Sequence, residues 1–81
     1  MTIDLSSIGE VLRKRREELG LSIENGAGKL NLRKVMVDSI ERGDEKFLPH
    51  EVYVKGYIKE YARLLGIESD ILPLLVVAPV P

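Results

Sequence analysis

Cysteine is absent from this 81-residue sequence, which excludes disulfides and cysteine-based zinc sites. Histidine occurs once, at His50. Without a second histidine or a spaced carboxylate cluster there is no metal-ligand set. A basic surplus is also lacking: twelve Lys and Arg stand against thirteen Asp and Glu, a formal net charge of −1. Nucleic-acid-binding domains usually carry such a surplus. No window approaches the length of an apolar run that spans a bilayer. The opening MTIDLSSIGE has no basic region followed by an apolar stretch, so it does not read as a signal peptide. Ser, His and Asp occur, but no spacing gathers them into a catalytic set. The glycines of Asn25-Gly26-Ala27-Gly28-Lys29 lack the preceding strand and the spacing of a phosphate loop. The expectation is a non-enzymatic chain without catalytic residues, cofactor or metal, from a reducing, cytoplasmic setting.

What is present is the composition of a folded domain: 44% apolar and 31% charged residues, far from the balance of disordered chains. At this size only about 60% of the unfolded surface is buried, so the core is thin. Residues 1–6 read as a lead-in and 77–81 as a tail, with the domain over 7–76. Ser7-Ile8-Gly9-Glu10 has the form of a capping box, opening a first helix from Ile8 to Leu19 that stops at Gly20. Ile8, Val11, Leu12 and Leu19 share its apolar face. Arg15 points toward that face, where its stem can lie against apolar neighbours while the charge reaches water. Ser22 caps a second helix, Ile23 to Leu30, weakened by Gly26 and Gly28. Asn31 turns the chain into a third helix, Arg33 to Arg42, with Met36 and Ile40 one turn apart and Gly43 as its end. Phe47 and Leu48 are expected to anchor the following loop. Pro49 suits the launch of a fourth helix, Glu51 to Leu65, ending at Gly66. Ser69 and Asp70 offer caps for a fifth, whose start Pro73 limits. No strand pattern, internal repeat or low-complexity tract appears. The expected fold class is all-α, five short helices in which a tight turn joins the second and third as a helix-turn-helix.

The fourth segment, LPHEVYVKGYIKEYARLL, is the most informative. At 100° per residue Val54, Ile58, Tyr61, Ala62 and Leu65 form one stripe. Tyr53, Tyr57 and Leu64 form a second beside it, and Lys55, Lys59 and Arg63 lie opposite. The apolar arc covers about half the helix, wider than the stripe of an ordinary surface helix. One flank suits the domain core; the other meets a further part of the chain or a partner.

Several blocks carry a family resemblance. Val11 to Ser22 (VLRKRREELGLS) and Ser39 to Asp44 (SIERGD) resemble the first helix and the third-helix ending of Cro/repressor-type, lambda-repressor-like helix-turn-helix domains. With Leu48-Pro49, Val52 to Ile58 and Tyr61 to Gly66 added, residues 7–76 resemble the N-terminal cytoplasmic domains of the RodZ family of bacterial cell-shape proteins. The YVKGYIKEYARLLG block (residues 53–66) is the most specific part. The second helix departs from the family's usual EEVAEKL, and Arg15 stands where a small residue is usual. The resemblance implies the cytoplasmic domain of a membrane-anchored adaptor, at the inner face of the membrane through segments outside this chain. Its implied partner is the actin-like filament protein MreB, docked on the fourth helix. It also implies that Arg16 pairs with the third-helix carboxylate Glu41, fixing how the first and third helices meet.

Two tyrosines one turn apart are either core aromatics or anchors for a partner. The core stripe is already supplied by Val54, Ile58, Tyr61 and Leu65, and tyrosine is enriched at interface hot spots. With the resemblance, Tyr53 and Tyr57 are expected to be exposed anchors, and Lys55, Lys59 and Glu60 the rim. The alternative is sequence-specific DNA binding by Arg33, Lys34, Val35 and Asp38, which stand where a recognition helix meets the major groove. Against it, Asp38 would face phosphates, no Asn or Gln is present in that helix to read adenine, and residues 33–42 carry a net charge of only +1.

Overall fold

The computed structural model describes residues 1–76 and, over them, an all-α fold: α1 Leu5–Glu18, α2 Ile23–Leu30, α3 Lys34–Arg42, a 3₁₀ turn Glu45–Phe47, α4 Glu51–Leu65 and α5 Glu68–Leu75. The tail expected over 77–81 lies outside the described residues.

The first helix begins earlier than its sequence suggests. Asp4, not Ser7, is the cap: its Oδ1 accepts from the Ser7 amide at 3.2 Å and its Oδ2 from the Ser7 hydroxyl at 2.7 Å. Two capping residues stand three apart, and the earlier one is used because it lets Leu5 join Ile8 and Leu12 on the buried stripe. Ile3 is buried as well, so part of the expected lead-in belongs to the core. Leu19, expected on the apolar face, lies past the last turn and is 44% exposed. Arg15 does not simply run outward along its stem: its Nε donates to the Leu65 carbonyl at 3.0 Å, satisfying an orphan acceptor at the end of α4.

Ser22 and Asn25 form a reciprocal capping box on α2, with bonds of 3.0 and 3.2 Å. In α3 the buried apolar positions are Val37 and Ile40, while Met36 is half-buried. Gly43 ends α3 at φ +70°, and a Cβ there would also lie 2.7 Å from the Ser6 Oγ. The tightest contact is at Gly9: a Cβ would stand 2.2 Å from the Ile40 carbonyl oxygen and 2.5 Å from that of Glu41. The backbones of α1 and α3 therefore cross here, and only glycine permits the approach.

Phe47 does not anchor the loop before α4. The loop closes as a 3₁₀ turn capped by Asp44, leaving Phe47 59% exposed while Leu48 packs on the core. His50 is exposed but caps α4, its Nδ1 accepting from the Val52 amide at 3.2 Å. Glu51 accepts from the amides of Thr2 and Ile3 at 2.6 and 3.1 Å and from the Thr2 hydroxyl at 2.7 Å. These bonds hold its carboxyl below the usual range and tie the chain's start to α4.

Val54, Ile58, Tyr61, Ala62 and Leu65 are all buried, and α4 packs through them against α1, α2 and α5. The fifth helix starts after Ile67 with no side-chain cap, so neither Ser69 nor Asp70 caps it. Pro73 lies inside this helix rather than limiting its start. The proline removes the bond to the Ser69 carbonyl, at an exposed residue, while Ile71 and Leu75 bury one turn apart. Among the described residues no helix is long and apolar enough to cross a membrane.

Candidate functional site

Two surfaces compete for the functional reading, and one buried junction sets where both lie. At the junction Arg16 of α1 grips Glu41 of α3 with both arms, Nε to Oε2 at 2.7 Å and Nη2 to Oε1 at 2.9 Å. Its remaining arm donates to the Leu21 carbonyl at 2.8 Å. The Tyr61 hydroxyl of α4 donates to the same Glu41 Oε2. All three side chains are buried. The hydrogen bond to Glu41 raises the Arg16 pKa; burial, and then the bond to Glu41, raises that of Tyr61. The carboxylate thus joins three helices, and its geometry fixes the rotation of α4 more surely than it adds net stability. Tyr61 was expected only as core; its hydroxyl's role was visible solely as the polar atom a buried tyrosine must satisfy.

With Tyr61 turned inward, the opposite face of α4 looks to solvent. Tyr53 is 59% exposed. Tyr57 is half-buried, packed against the core from the side, so the two tyrosines are not equivalent. Lys59 and Glu60 are exposed and Lys55 is half-buried. Glu60 accepts from Arg63 Nη1 at 3.2 Å, and Arg63 also reaches Glu68 at 3.5 Å. Lys55 and Lys59 have no ion-pair partner among the described residues. Sequence reasoning missed Val52, which is 64% exposed on the lysine side of the same helix. Its position beside Lys55 in the helical register was the available signal.

The second surface is the start of α3. Arg33, Lys34 and Val35 are exposed there and Asp38 is half-buried. Much of its charge is already engaged: Lys34 pairs with Glu24 of α2 at 3.0 Å, and Asp38 with Arg42 at 3.0 Å. Arg33 keeps an unpaired charge among the described residues and lends α3 no side-chain cap. Among these residues no three His, Asp or Glu side chains come together to hold a metal ion.

The short α2, the tight Asn31 turn and α3, braced by α1 and α4, define a helix-turn-helix domain. Residues 11–72 match the sequence profile of the family described as "Helix-turn-helix domain", and the chain belongs to that family. Within it the chain is of the RodZ type. It is similar to the cytoskeleton protein RodZ of Streptococcus pneumoniae, at 32% identity over 65 residues that cover 80% of this chain and 24% of that protein. An uncharacterized protein of Haemophilus influenzae is 33% identical over 72 residues, covering 86% of this chain and 23% of that protein. The chain therefore spans about a quarter of the length of the curated relatives it matches. The solved structure of YmfM from Staphylococcus aureus, described as a proposed DNA-binding membrane protein, superposes with a TM-score of 0.75. That match is at 30% identity and covers 89% of this chain and 90% of that one. The all-α, repressor-like architecture expected from the sequence is the observed one.

Proposed function

We propose that this domain is the cytoplasmic docking module of a membrane-anchored cell-shape protein, and that it binds an MreB-like actin homologue through the outer face of α4. The observation that carries the reading is Tyr53: a large aromatic, 59% exposed, on a rigid helix whose other side is locked into the core. Tyrosine in such a setting offers contact area at little conformational cost. Tyr57 extends the surface as a half-buried shoulder, Lys55 and Lys59 are its cationic rim, and Glu60 adds a carboxylate neutralised by Arg63. The similarity to a cytoskeleton protein supports the choice of partner. Tethering at the inner face of the membrane would come from segments outside this chain. YmfM's description as a membrane protein supports that part. No catalytic step, metal or cofactor belongs to the proposed function.

A second reading keeps one specific support. Arg33, Lys34 and Val35 are exposed at the start of α3, and YmfM is described as a proposed DNA-binder. Arginine and lysine there can reach guanine or phosphate. The two readings separate in one titration of this domain against purified MreB-like protein and against duplex DNA at physiological salt. Saturable binding to the filament protein alone supports the docking module. Binding to DNA alone, persisting at that salt, overturns it, because unspecific phosphate attraction falls steeply with ionic strength.

A further inference from the structure

Gly56 stands in the middle of α4, where glycine is the weakest helix former short of proline. Nothing in the fold asks for it. An ideal Cβ at Gly56 meets no atom within 4 Å, and its φ is not positive. This separates it from Gly9 and Gly43, whose missing side chains the fold requires.

The space that Gly56 leaves faces outward. Its neighbours on the helix surface are residues three and four away: Val52 and Tyr53 on one side, Lys59 and Glu60 on the other. All four are exposed. Val52 and Tyr53 therefore rise as two apolar walls, 64% and 59% exposed, at one end of a floor made of bare backbone. Glu60 is engaged by Arg63, and Glu51 is tied to the chain's start and lies in the field of Lys55; neither Lys55 nor Lys59 has an ion-pair partner within reach among the described residues.

We propose that Gly56 is the floor of a receiving notch on α4, walled by Val52 and Tyr53, that takes an apolar side chain from an acidic surface of the filament partner. The inference rests on the docking reading above and adds the chemistry of the partner: an apolar knob flanked by carboxylates that face Lys55 and Lys59. Close approach over a glycine lets the knob touch backbone, and the lysines select the charge around it.

The test uses this domain with purified MreB-like protein and three variants: Gly56→Ala, Gly56→Met and Lys59→Glu. Both glycine variants are expected to raise the melting temperature by about 4 °C or more, since they add helix propensity in open space. Gly56→Met is expected to weaken affinity by about tenfold or more by filling the notch, and Gly56→Ala by less. Lys59→Glu is expected to slow association and to reverse part of its salt dependence. A more stable Gly56→Met domain that binds as tightly as wild type overturns the notch, while loss of binding in Tyr53→Ala still upholds α4 as the docking face. A Gly56→Ala domain that melts lower than wild type also overturns the notch, because the glycine then serves the fold. A wild-type domain that does not bind overturns the docking reading and the notch together.

Discussion

The two sides of α4 follow different rules. On the inner side Tyr61 packs against α2 and hands its hydroxyl to a carboxylate already held by Arg16. On the outer side, on the flanks that turn away from the buried stripe, Val52, Tyr53 and Lys59 stand in solvent with no partner to answer them. The inner residues are over-determined by three helices meeting on one carboxylate. The outer residues are not held by the fold, so their substitution is expected to leave stability little changed. One helix thus carries both the keystone and the face proposed for docking, and on that proposal mutations should sort cleanly between stability and binding.

The largest effect expected is at the keystone. Glu41→Ala leaves a buried guanidinium and a buried hydroxyl unanswered and is expected to cost about 3–5 kcal/mol in denaturant unfolding. In a double-mutant cycle with Arg16→Ala the two losses should fall well short of additive. Additive losses would dissolve the keystone. Gly9→Ala comes next. Its Cβ would be driven into the Ile40 and Glu41 carbonyls, and prising α1 from α3 is expected to cost about 2–3 kcal/mol. An unchanged melting temperature would mean the two helices can slide apart freely.

Tyr61→Phe is milder, about 1–2 kcal/mol for one lost bond to a charged group. Its signature is in the pH profile. Burial, and then the bond to Glu41, raises the folded-state pKa of Tyr61 above the ordinary tyrosine value of about 10. Its contribution is therefore full below about pH 10 and is lost as pH rises through the folded value, because the unfolded chain gives up that proton first. Wild type should lose stability above pH 10 more steeply than Tyr61→Phe; parallel profiles would contradict the buried bond. Ser39 sharpens the comparison from the other direction. Its buried hydroxyl is without a hydrogen-bond partner among the described residues, so Ser39→Ala should leave stability unchanged or raise it by up to about 1 kcal/mol. On the outer face, Tyr53→Ala should move stability by less than about 0.5 kcal/mol. A large loss there would erase the distinction between the two sides.

Much of this division was legible in the sequence, and the parts that were not have physical reasons. The period of α4 assigned Val54, Ile58, Tyr61, Ala62 and Leu65 to one buried face, because a helix with an apolar arc that wide must bury one flank. The Ser22 cap and the glycine stops at Gly43 and Gly66 are local chemistry and read directly. The start of α1 did not, because Asp4 and Ser7 are both competent caps and the choice between them was made by burial of Ile3 and Leu5. Phe47, an expected anchor of the loop, is left in solvent by the 3₁₀ turn, which forms from local backbone bonds that the sequence does not signal. Tyr53 and Tyr57 share a stripe in projection, yet only tertiary packing leaves one exposed and the other half-buried. Gly9 and Gly56 look alike in sequence. One sits against two carbonyls and the other against open space, a difference set by neighbours far along the chain.

The measurement that tests the central claim most directly is the affinity of this domain for purified MreB-like protein, compared between Tyr53→Ala and Arg33→Ala. Circular dichroism would confirm that both variants are folded. The outer face of α4 predicts that Tyr53→Ala weakens binding by about tenfold or more while Arg33→Ala leaves it unchanged. Unchanged binding in Tyr53→Ala with a loss in Arg33→Ala would contradict it and move the working surface to the start of α3.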